Sequence, residues 1–151
     1  MLKSAYRALV LILVLAPLHV SAHEYKVGDI KIDHPWSRAT PKGAQMGAGY
    51  LSIENNGAED RLISAECACS SATEIHVMKR EGDVIQMHEL PDGLLIPSKD
   101  SYELQPGGAH LMFIGLKHQL KANDEIKVRL VFKKAGALDV MFKVSPLRKR
   151  N

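Results

Sequence analysis

From about residue 25 onward, apolar and polar positions alternate in short runs instead of recurring every three or four residues. The clearest runs are "IKVRLVF", where Ile126, Val128, Leu130 and Phe132 share a face, and "LDVMFKV", where Val140, Phe142 and Val144 do the same. A period of two marks a β-strand with one face in a core. Similar runs are "VGDIKID", "GAGYLSIEN", "RLISAE", "TEIHVMK", "VIQMHEL", "SYEL" and "AHLMFIGL". Turn-forming stretches separate them: "NNGAED", "REGD", "PDG", "QPGG", "KANDE" and "KKAG". About nine short strands and no long helical pattern predict an all-β domain, an antiparallel β-sandwich or Greek-key barrel. Trp36, the only tryptophan, is expected to plug the core.

The first residues do not belong to that pattern. Lys3 and Arg7 precede the apolar run "ALVLILVLAPLHV", and small residues follow at Ser21 and Ala22. This order predicts a secretory signal peptide over residues 1–22, cleaved after Ala22. The run is short for a bilayer of about 30 Å and Pro17 interrupts it, so stable membrane insertion is not expected. Residues 23–151 then form a single domain, exported to the periplasm. The formal charge of +3 includes Lys3 and Arg7, so the exported part carries little net charge. A nucleic-acid binder would show a concentrated basic stripe, and none is present.

Cysteine usage adds little at this stage. Cys67 and Cys69 form the only pair, in "ECACS". In an extended segment a Cys-x-Cys link would be strained, so a structural disulfide is not expected. Free thiols or accessory soft ligands are the readings left open.

The chemistry lies with histidine and methionine. Beyond His19 in the leader the chain has His23, His34, His76, His88, His110 and His118. "IHVM" places His76 and Met78 two apart, "QMH" places Met87 beside His88, and "HLM" places His110 and Met112 two apart. Residues two apart on a strand point the same way, so two strands each aim an imidazole and a thioether at one face. A hairpin around Gly82 would add Met87. With Glu81-Gly82 as its loop, His76 faces Met87; with Gly82-Asp83, Met78 faces Met87.

Calcium and magnesium require oxygen donors, and structural zinc prefers cysteine and histidine. Thioether sulfur with imidazole nitrogen suits copper, Cu(I) above all. Methionine is also a common core filler, and a single His-Met pair would mean little. Electron transfer by a blue-copper centre would need a thiolate beside two histidines, and Cys67 and Cys69 lack that spacing.

These residues resemble the periplasmic copper chaperones of the PCu(A)C family. His76 is followed by ten residues and Met87; twenty-two more precede His110-Leu111-Met112, one beyond the family spacing. The segments "HPWSRATPKGAQMGAGYLSIEN", "EIHVM", "IPS" and "YELQPGGAHLMFIGLK" are also similar to family segments. The resemblance implies a cupredoxin-like β-sandwich that is not an enzyme. It implies a Cu(I) site from His76, Met87, His110 and Met112. Read from the chain itself, Met78 and His88 are accessory candidates, and His23, as the new N-terminus, could chelate Cu(II) through its amine and imidazole. The resemblance further implies a monomer that hands copper to the copper subunit of cytochrome c oxidase or to Sco-type proteins, or else stores copper. Met46, Met78 and His88 are transfer candidates, and "ATPKGAQMGAG" and "QPGG" are expected to frame the opening.

Overall fold

The computed structural model describes residues 25–147; the predicted signal peptide, His19 and His23 lie outside the described residues. Every described element is a strand. In chain order these are β1 (Tyr25–Val27), β2 (Ile30–Arg38), β3 (Met46–Asn55), β4 (Asp60–Cys67), β5 (Ser70–Glu81) and β6 (Val84–Glu89). They continue with β7 (Leu94–Ile96), β8 (Asp100–Leu104), β9 (Ala109–Leu116), β10 (Glu125–Phe132) and β11 (Gly136–Ser145). Eleven strands replace the nine or so expected, because β1 and β7, of three residues each, are too short to show as alternating runs. Among the described residues no helix is long and apolar enough to cross a membrane.

Strand pairing follows the order β6-β5-β9-β8-β3-β2-β11-β10-β4-β7, with β9 also pairing β3 and β1 pairing β2. Most pairs are antiparallel; β11 with β2 and β8 with β9 are parallel. The path folds over so that its two halves face each other, as the rings of Phe113 (β9) and Phe142 (β11) show by meeting edge to face at 6.5 Å. The alternation read on the last strands is realised. Val128, Leu130, Val140, Phe142 and Val144 are fully buried, while Lys127, Arg129 and Asp139 form ion pairs on the outside.

Two features depart from the sequence reading. Cys67 and Cys69 are joined in a disulfide, contrary to the expectation of free thiols or soft ligands. The segment is not extended: β4 ends at Cys67, and Ala68 and Cys69 form the turn into β5. That reversal draws the two Cα atoms to 5.1 Å, inside the range a disulfide spans.

Trp36 is not a core plug. A bulge between Asp33 and Trp36, with His34 at φ 49°, adds one residue against β3. An added residue exchanges the faces of everything after it. Ile30 and Ile32 point into the core before the bulge and Ser37 after it. Trp36 is thereby turned to the opposite face, half-buried against Tyr50 at 4.6 Å between centroids.

Gly49 on β3 shows how tightly the layers pack. A Cβ there would stand 2.9 Å from Phe113 Cζ, closer than contact allows, and 3.0 Å from Phe142 Cε1, tight enough that the ring must give. Gly49→Ala should therefore cost about 1–3 kcal/mol through overpacking. Urea denaturation should show a lower midpoint at an unchanged slope; an unchanged midpoint would mean that the Phe113–Phe142 pair can shift freely.

Candidate metal centre

The site is built on the face of β5, β9 and β3 that turns away from the core. Ile75, Ala109, Leu111 and Phe113 fill the core side, so the alternate residues of the same strands must occupy the other. Antiparallel register places His76 opposite His110 and Glu74 opposite Met112. The imidazole centroids stand 5.8 Å apart. His110 is only 5% exposed, sheltered by Tyr50 at 6.4 Å between centroids, with Trp36 stacked behind it.

The Gly82-Asp83 register is the one realised. β5 ends at Glu81 and β6 begins at Val84, with Gly82 at φ 63°, a conformation that favours glycine at the first loop position. Met78 consequently lies opposite Met87, and Glu89 opposite His76. Met87 reaches the His76 neighbourhood as a diagonal neighbour and is 45% exposed. The structure thus brings His76, His110, Met112, Met78 and Met87 onto one face. It places His88 on the opposite face, paired with Val77, where its Nε2 lies 3.2 Å from Glu81 Oε1.

Each imidazole is held by one nitrogen. His76 Nε2 donates to Glu74 Oε2 at 2.7 Å. His110 Nδ1 donates to the Gly108 carbonyl at 3.2 Å. A neutral imidazole has one N–H, so these bonds leave lone pairs on His76 Nδ1 and His110 Nε2. His76 Nδ1 is buried and has no hydrogen-bond partner among the described residues. A buried polar atom without a partner is costly, and fixing the second nitrogen by a carboxylate or carbonyl is how metal-binding histidines are oriented. Among the described residues no group of three or more His, Cys, Asp or Glu side chains is placed to hold a metal ion. A soft cation held between His76 and His110 could complete its shell with the thioethers on the same face.

Glu74, Tyr50 and the Gly108 carbonyl did not stand out in the sequence. Glu74 could have been found, since Glu74-x-His76 is the same two-residue spacing that paired histidine with methionine. The other two depend on strand register that no local pattern reveals.

Burial lowers the pKa of His110 below the ordinary 6.5; the His76 imidazole lowers it further and the Gly108 hydrogen bond opposes. The lone pair therefore survives into mildly acidic conditions. Acidification favours the unfolded chain, whose His110 takes up a proton that the folded one resists. In the metal-free protein the His110 ring proton resonances should titrate with a midpoint below 6.5. A midpoint at or above that value would contradict the buried, neutral imidazole.

The profile of the LpqE-like family, described as "Putative lipoprotein LpqE-like", matches residues 30–144. A curated relative, "Putative lipoprotein Lxx21020" of Leifsonia xyli subsp. xyli (strain CTCB07), is 29% identical over 104 residues. That match covers 68% of this chain and 61% of the relative, so the chain spans about three fifths of that protein's length. The structure titled "Copper-bound PCuAC domain from PmoF2" superposes with a TM-score of 0.70 at 28% identity, covering 83% of this chain and 99% of that one. The "Apo PCuAC domain from PmoF1" gives 0.71 at 29% identity, covering 83% and 100%. The solution structure of CuI-DR1885 from Deinococcus radiodurans, at 23% identity with 83% of each chain covered, gives 0.63 and supports the fold alone. The cupredoxin-like β-sandwich is thus established, and the chain belongs to the LpqE-like family, with the fold of the PCuAC domains.

Proposed function

We propose that the protein is an extracytoplasmic Cu(I) carrier that binds one ion through His76, His110, Met112 and Met87 and passes it to an acceptor protein. The observation that carries this reading is the pair of facing imidazoles, each with one nitrogen fixed by Glu74 or Gly108, flanked by thioethers. Four neutral donors suit a monovalent soft cation, because no ligand has to lose a proton to bind it. Met87 reaches the ion from the exposed β6, with Met78 directly opposite it on β5. That strand can lean inward on loading and outward on release.

Export fits the lipoprotein description of the family and the relative, and the predicted removal of residues 1–22 would leave residues 23–151 as the copper-binding domain in the periplasm. Thioethers keep such a site functional in an oxidising compartment, because they do not form disulfides. The acceptor proposed is the copper subunit of cytochrome c oxidase, with Sco-type proteins as co-workers and the carrier a monomer. The chain is not proposed to be an enzyme: its neutral donors include no activated nucleophile and no base poised on one. Blue-copper electron transfer is disfavoured, since Cys67 and Cys69, the only cysteines, are joined to each other and supply no thiolate.

Anaerobic competition of Cu(I) against a chromogenic chelator tests the reading. The protein should take up one tight equivalent, and the His110→Ala/Met112→Ala variant should take up none. Glu74→Leu removes the acceptor that orients His76 and should weaken binding about 10–100-fold with the fold intact by circular dichroism. Absence of Cu(I) uptake by the unsubstituted protein would overturn the proposal. Unchanged affinity in Glu74→Leu would remove Glu74 from any part in holding His76.

A further inference from the structure

We propose that Met46 is a transfer ligand, through which Cu(I) enters and leaves the site by way of Met112. The proposal rests on the carrier reading above. Met46 opens β3 opposite Ile114 of β9, while Ala48 lies opposite Met112. Met46 and Met112 are therefore diagonal neighbours on the site face, at a spacing of about 7–8 Å that long side chains can bridge. Both line one concavity of about 270 Å³, together with Ala48, Tyr50 and Arg38.

Met46 is 60% exposed, more than any other large apolar side chain among the described residues. Its exposure means that it supports no core, and what distinguishes it from any other apolar surface residue is a soft sulfur on a flexible stem beside Met112. The wall of the concavity carries no carboxylate, and Arg38 is its one charged side chain. An ion paused there is held by two thioethers alone, more weakly than by two imidazoles and two thioethers. That difference suits a way-station and not a resting site.

The step is a ligand exchange. The bond from Cu(I) to the Met46 sulfur forms as the first imidazole bond breaks; the bonds to the second imidazole nitrogen and to the Met87 sulfur break in turn, and Met112 stays bonded. Copper remains Cu(I) throughout, so no electron or proton moves. From Met46 the ion passes to a sulfur or nitrogen donor of the acceptor by the same exchange.

Met46→Leu keeps volume and apolarity at an exposed position and removes only the donor. Stopped-flow exchange of Cu(I) between the protein and bathocuproine disulfonate should show loading and unloading slowed together by about tenfold, about 1.4 kcal/mol in barrier. The equilibrium affinity should be unchanged. In half-loaded unsubstituted protein the Met46 methyl resonance should broaden as copper exchanges, whereas an unbroadened line would count against the proposal. Unchanged rates in Met46→Leu would overturn it. A weakened affinity would overturn it as well, by making Met46 a resident ligand. If the unsubstituted protein binds no Cu(I), the carrier reading itself fails, and the affinity measurement separates that outcome from the others.

Discussion

The arrangement depends on the antiparallel register between β5 and β9. Pairing His76 with His110 across two adjacent strands fixes the imidazoles side by side, and the core side of the same strands makes that register costly to change. Ile75, Leu111 and Phe113 are almost wholly buried. A slip of one residue would carry them out of the core and bring the histidines and Met112 into it. The hydrophobic core thus sets the position of the proposed donor set, although it touches that face only through the backbone.

Around that pair the sheet supplies what the donors need. Glu74, one alternation away on β5, engages the outer nitrogen of His76, and the Gly108 carbonyl engages His110. The bulge in β2 brings Trp36 to the same face, where it backs Tyr50, the ring that shelters His110. Burial favours the neutral imidazole of His110, the two hydrogen bonds fix how both rings lie, and the exposed β6 and the Met46–Met112 concavity are the proposed routes for ligand exchange. Rigidity belongs to the histidines and freedom to the methionines, a division that suits a protein that must both hold a cation and give it up.

Much of this was legible in the chain because strands read directly as alternation. The core faces of β10 and β11, the pairing of His110 with Met112 and the hairpin at Gly82 all follow from a period of two and from turn chemistry. The unread parts are those in which one residue changes the parity. The bulge after Asp33 sent Trp36 to the opposite face from the one expected. The turn at Ala68-Cys69 brought together two cysteines that an extended strand would have held apart. Which hairpin register holds was likewise left open by the residues, and the positive φ of Gly82 at the first loop position goes with the one that pairs Met78 with Met87.

X-ray absorption at the copper edge of the Cu(I)-loaded protein tests the central claim most directly, because it reports the donor atoms themselves. The account predicts a first shell divided between imidazole nitrogen and thioether sulfur, with the sulfur contribution reduced in Met112→Leu and the imidazole signature reduced in His110→Ala. A shell of nitrogen and oxygen alone, or one unchanged by both substitutions, would contradict it.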